Sequence, residues 1–155
     1  IFACGCFWGV QHQMERATGV INTTVGYTGG EEQNPTYPEV KAHKTGHAEA
    51  VLVEYDAEKT SYTELCKLFF EIHDPAQTDG QGPDIGPQYR SEIFYLNDTQ
   101  KQEAEAVIKI LREKGHEVNT RLTPASTFWP GEEYHQHYYD KTGGEPYCHI
   151  RIRKF

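Results

Sequence analysis

Two stretches of the chain repeat apolar residues at helical spacing. Tyr62, Leu65, Cys66 and Phe69 fall at i, i+3, i+4 and i+7, the period of one buried helix face, and Pro75 stops that segment. Residues 99–114 make the clearest helix, with Ala104, Val107, Ile108 and Leu111 on one side and charges on the other. Gly115 stands where such a helix ends. A further helix is predicted over 7–17, begun after Gly5 and ended by Gly19. Strands are predicted over 1–4, over the β-branched run 20–27 that leads into the Gly29-Gly30 turn, over 48–55, over 91–96 and over 119–122. No period holds from 30 to 47, where Pro35 and Pro38 flank Tyr37, nor over 74–89. Both stretches exceed the usual connection length, and loops of that kind tend to carry function.

Strand, helix, strand, strand, helix, strand is the order of a split βαβ plait. The chain is therefore expected to be an α/β (α+β) protein: a two-layer sandwich with a ferredoxin-like split βαβ core and long functional loops. Its 155 residues suit one domain, and no repeat or linker divides them. Residues 1–155 are read as a single catalytic domain whose C-terminal tail carries Cys148. No run approaches the ~18–20 apolar residues of a membrane span. The net charge of −8 argues against a nucleic-acid partner. The short basic run 151–154 reads as a terminal strand with a solvated face. No charged-then-apolar leader is visible, and a cytoplasmic monomer is expected.

Four cysteines, Cys4, Cys6, Cys66 and Cys148, focus the search for chemistry. In a reducing compartment free thiols serve packing, metal binding or catalysis. Cys6 lies at a glycine-marked junction of strand and helix, where unpaired N–H groups and the positive helix end favour a thiolate. Phe7 and Trp8 beside it suggest an apolar pocket; ordinary core packing is the alternative. Cys4 and Cys66 read as core. Cys148, in the Gly- and charge-rich tail, is suited to meet a second cysteine in a transient disulfide, or is incidental. Glu49, among small apolar residues, either faces the core, where burial raises its pKa, or lies exposed on its strand. Asp84, in Gly82-Pro83-Asp84-Ile85-Gly86, reads as a turn former. His135 and His137, near Glu132 and Glu133, offer two metal ligands that Cys4 and Cys6 would complete. They read equally as a solvated helical turn, and no zinc spacing supports the metal.

Gly5-Cys6-Phe7-Trp8-Gly9 resembles the signature of the peptide methionine sulfoxide reductases of the A class. Further matches follow in the same order: Tyr37, Gly46-His47-Ala48-Glu49-Ala50, Gly82-Pro83-Asp84-Ile85-Gly86, Gln88-Tyr89-Arg90-Ser91 and Tyr147-Cys148. The resemblance implies reduction of methionine-S-sulfoxide, free or in peptides and proteins, without a cofactor or metal. It implies Cys6 as nucleophile, Glu49 as proton donor and Tyr37 and Tyr89 as hydrogen-bond donors to the sulfoxide oxygen. Phe7 and Trp8 would enclose the S-methyl group, and Asp84 would orient the site. Cys148 would resolve the Cys6 sulfenic acid into a disulfide that thioredoxin reduces. The chemistry fits, because sulfoxide oxygen leaves poorly unless protonated. A pocket that fixes both oxygen and methyl accepts one epimer.

The chain departs from that family at two positions. Cys4 stands where glycine is usual, which places a second thiol near the nucleophile, and Pro146 stands where glycine is common before the Tyr-Cys pair. No cysteine follows Cys148, which suits a two-cysteine cycle. The competing readings are a thiol peroxidase or cysteine hydrolase using Cys6, and a non-enzymatic metal or redox-sensing module.

Overall fold

In the computed structural model, which describes residues 1–43, 45–144, 146 and 149–155, the short strand β1 (Phe2–Cys4) is followed by α1 (Phe7–Glu15) and β2 (Val20–Thr28). A five-residue helix, α2 (Tyr37–Lys41), precedes β3 (Ala48–Tyr55) and α3 (Tyr62–Glu71). A hairpin of β4 (Gly80–Gln81) and β5 (Asp84–Ile85) leads to a 3-10 turn (Pro87–Tyr89) and β6 (Ser91–Tyr95). Then come α4 (Asp98–Glu113), β7 (Arg121–Pro124), β8 (Trp129–Pro130), a 3-10 turn (Glu133–His135) and α5 (Tyr138–Thr142).

The main sheet has six strands in the order β7-β6-β1-β3-β2-β8. Its middle, β6-β1-β3-β2, is antiparallel throughout and is the expected split βαβ core. At one edge α4 crosses over so that β7 pairs with β6 in parallel; at the other, β8 closes on β2.

Side chains of β1 alternate across the sheet. Phe2 and Cys4 join Phe7, Val10, Met14, Leu65, Phe69, Val107 and Leu111 in the core beneath the helices. Ile1 and Ala3 turn to the reverse face, with Ala48, Ala50 and Phe94. The same alternation in β3 sends Val51 to the helix side, and with it Glu49 two residues earlier. α3 begins at Ser61, whose hydroxyl accepts from the Glu64 N–H, and α4 at Asn97, which accepts from the Gln100 N–H. No helix among the described residues is long and apolar enough to cross a membrane.

Several boundaries differ from the sequence expectation for local reasons. α1 stops at Glu15, with Arg16 as its C-cap, rather than running to 17. α2 forms inside the stretch expected to be irregular, because Thr36 and Glu39 make a reciprocal capping box and Pro38 suits a first helical turn. β7 starts at Arg121 because Asn119 is bonded elsewhere: its backbone N–H donates to Pro75 O at 2.8 Å and its amide to Ala76 O at 2.8 Å. Residues 151–154 form no strand. Ile152 N–H donates to Glu71 O at 2.8 Å, the Arg151 guanidinium to Glu71 Oε1 at 2.9 Å and Lys154 N–H to Glu71 Oε2 at 2.9 Å. The basic run is thus a strap over the end of α3.

Candidate active site

Gly5, at φ +106°, turns the chain sharply from β1 into α1. A Cβ there would lie 2.9 Å from Gln81 Cβ and 3.2 Å from His149 Nε2, so the turn is also tightly packed. Cys6 is the N-cap of α1, its carbonyl accepting from the N–H groups of Gly9 and Val10. Its thiol therefore sits at the positive end of the helix, nearly buried at 8% exposure.

The Phe7 N–H, one of the helix's unpaired donors, is taken by Glu49 Oε1 at 3.2 Å. Glu49 is 1% exposed, and its other oxygen, Oε2, is buried with no hydrogen-bond partner among the described residues. Burial pushes its carboxyl well above the usual carboxylate range; Cys6 alongside adds to this, and the Phe7 N–H partly offsets it. A carboxyl pushed toward its protonated form beside a thiol is able to donate a proton.

Two loops bring the remaining groups. Burial, then Glu49 and Cys6, push the Tyr37 phenol up to about 12. Tyr89 is raised too, by burial first and then by Glu49, Tyr37, Asp84 and Cys6. These mutual effects mark Cys6, Glu49, Tyr37, Tyr89 and Asp84 as one cluster. Both phenols stay protonated at neutral pH and can donate. Asp84 is half-buried on β5 and acts on Glu49 and both tyrosines, which is more than the turn-forming role read from the sequence. Arg90 Nη2 donates to Gly46 O at 3.0 Å, and the rings and amides of His43 and Gln88 meet at 2.6 Å, so the two loops hold one another. His47 braces the first of them, accepting from Gly30 N–H at 3.0 Å and donating to Glu32 O at 2.6 Å.

Phe7 and Trp8 have different positions. Phe7 is fully buried and packs under Tyr37, ring centroids 6.4 Å apart. Trp8 is half-buried, 6.3 Å from Tyr37, and stacks on Tyr138 at 3.9 Å and 10°. Its indole N–H donates to His135 Nδ1 at 2.9 Å. The sequence read His135 as a solvated turn or a metal ligand; the structure corrects this, since the ring is 1% exposed and belongs to the aromatic cluster. Tyr27 and Tyr138 were not singled out at all. Tyr27, opposite Glu49 in the β2–β3 register, is fully buried.

The proposed metal set does not converge. His137 bonds Glu15 Oε2 at 2.7 Å, His135 faces Trp8, and Cys4 is fully buried and hydrogen-bonded to His149. Among the described residues one three-ligand group does come together, His12, Glu15 and Asp140, and Arg16 already pairs with Glu15 at 3.0 Å and Asp140 at 2.9 Å. Cys66 is core, with its thiol pushed up to about 12 by burial. Cys148 and Tyr147 lie outside the described residues.

A thiol at a helix N-terminus, a buried carboxyl and two phenols against an aromatic wall define a thiol-based oxidoreductase rather than a metal module. Comparison with known proteins gives the family. The family model for peptide methionine sulfoxide reductase matches residues 1–155, and the chain belongs to that family. It is 44% identical over 152 residues to the peptide methionine sulfoxide reductase of Acinetobacter baumannii, covering 98% of this chain and 88% of that one. Its fold matches reduced Mxr1 from Saccharomyces cerevisiae with a TM-score of 0.91 at 35% identity, covering 99% of this chain and 90% of that one. Mxr1 solved in complex with Trx2 shares the fold with a TM-score of 0.65 at 24% identity, over 99% and 87% of the two chains.

Proposed function

We propose that this enzyme reduces methionine-S-sulfoxide, free or in peptides and proteins, with Cys6 as nucleophile and Glu49 as acid, residues 1–155 acting as one catalytic domain. The observation that carries this reading is the idle, buried Oε2 of Glu49 beside the Cys6 thiol. Sulfoxide oxygen would occupy the space between that carboxyl and the phenols of Tyr37 and Tyr89, with Asp84 orienting the group by hydrogen bonding. The S-methyl would lie against Trp8, above Phe7.

Cys6 sulfur bonds to the sulfoxide sulfur while Glu49 delivers a proton to the oxygen. The S–O bond then passes to the cysteine, methionine leaves as the thioether, and Cys6 remains as sulfenic acid. The Cys148 thiol attacks that sulfenic acid, water leaves, and a disulfide forms. A thioredoxin dithiol reduces it, which the yeast relative solved with Trx2 supports. A reducing compartment such as the cytoplasm keeps that dithiol available. Cys4 is a poor resolving thiol: it is fully buried, and burial raises its pKa.

Two experiments test the reading. Supplied with separated epimers and a thiol reductant, the enzyme should consume the S form and leave the R form; consumption of neither, with cysteines verified as reduced, rejects the function. Cys148→Ser should release one methionine per active site in a single-turnover assay yet lose thioredoxin-driven cycling. Undiminished cycling would assign resolution to Cys4.

A further inference from the structure

We propose that His135 is a positioning residue for substrate binding, holding the Trp8 indole in the plane that forms the methyl-facing wall. The inference rests on the reading of Trp8 as that wall. Because the indole N–H donates to His135 Nδ1 at 2.9 Å, the ring proton must sit on Nε2, which faces Glu132 Oε2 at 3.5 Å. Glu132 in turn accepts from the hydroxyl of Tyr27 at 3.1 Å and of Tyr134 at 3.0 Å. Trp8, His135, Glu132 and Tyr27 thus line up as polar groups through an otherwise aromatic cluster, the Nε2–Glu132 approach being a contact without a hydrogen bond.

The imidazole also fills the space behind the wall. Its centroid lies 4.3 Å from Tyr37, 4.0 Å from Tyr134, 5.3 Å from Phe7 and 5.5 Å from Trp8. Burial pushes its pKa below the ordinary histidine value, against the pull of Glu132. That keeps the ring neutral, as the indole bond requires, since an imidazolium would donate from both nitrogens. Tyr138 covers the indole face at 3.9 Å while His135 holds its edge, so two contacts at right angles fix the side chain. Neither bond reaches Cys6 or Glu49. Losing the anchor should therefore loosen substrate binding and spare the chemical step.

The test is steady-state kinetics on a methionine-S-sulfoxide peptide. His135→Leu should raise KM about tenfold, the scale of one lost buried hydrogen bond, with kcat held within about twofold. His135→Asn, which keeps an acceptor near Nδ1, should restore most of that KM. Trp8→Phe removes the donor from the other side and should raise KM similarly; adding His135→Leu to it should change KM by less than about twofold. An unchanged KM in His135→Leu, or full additivity of the two substitutions, overturns the proposal. If His135→Leu fails to fold, His135→Phe, which fills the ring's space without an acceptor, takes its place in the cycle. Trp8→Ala separates the two readings. If it leaves KM unchanged, Trp8 is not the wall. If it raises KM while the other variants behave as wild type, only the His135 proposal fails.

Discussion

Cys6→Ser should abolish methionine sulfoxide reduction, lowering kcat/KM by on the order of 10^4–10^6-fold, the scale seen when a covalent nucleophile is removed. Of the other cysteines, Cys4 is sealed in the core beneath the helices and Cys66 is buried in the same core, so neither is placed to substitute; in the proposed cycle Cys148 would act only after a sulfenic acid exists. The measurement is single-turnover methionine release with a sulfenic-acid trap present. Labelling confined to position 6 in the wild type, and absent from the serine variant, is the expected pattern. Residual turnover with trapping at Cys4 would reassign the nucleophile.

Glu49→Gln should lower kcat by about 10^2–10^4-fold, the usual contribution of a general acid. The amide keeps the shape of the side chain, and its nitrogen can still donate, but it has no proton to transfer. The pH dependence separates these functions. Burial and Cys6 raise the Glu49 pKa, so the protonated form expected to be active persists to higher pH than in an ordinary carboxyl and is lost as pH rises through that raised value. The wild-type rate should fall along that limb, and the glutamine variant should lose the limb.

On stability the Glu49→Gln substitution has the opposite effect from its effect on rate. Below about pH 4.3 the carboxyl is protonated in both folded and unfolded chains and contributes no difference. As pH rises above that value the unfolded chain ionises first, which disfavours folding until the folded carboxyl follows. Glu49→Gln should therefore raise Tm at pH 7 and barely change it at pH 4. A variant that is less stable at neutral pH would mean the carboxylate is favoured in the folded protein.

The helices α3 and α4 and the strand β3 were legible because each shows its period over eight or more residues. α2 and β8 were not, since five and two residues are too few to show one. Glu49 was ambiguous for a different reason: residues 48 to 51 are all buried, because both faces of that part of the sheet are covered, so alternation could not say which way it pointed. The resemblance supplied its role before any argument from burial could. His135 escaped both routes. Its neighbours Glu133 and Tyr134 are exposed and Gln136 and His137 half-buried, and its burial comes from Trp8, Tyr37 and Phe7, which are far away in sequence.

The reacting groups divide between frame and loops. Cys6 and Glu49 are fixed by the β1–α1 junction and by β3, elements whose register is locked by the whole core. Tyr37, Asp84 and Tyr89 arrive on a short helix, a two-residue strand and a 3-10 turn, tied to one another by Arg90 and His43, with Arg90 also paired to Glu92 of β6 at 2.6 Å. Insertions or substitutions in the rim around the thiol would therefore change which oxidised side chains gain admission while leaving the seating of Cys6 and Glu49 on the core undisturbed.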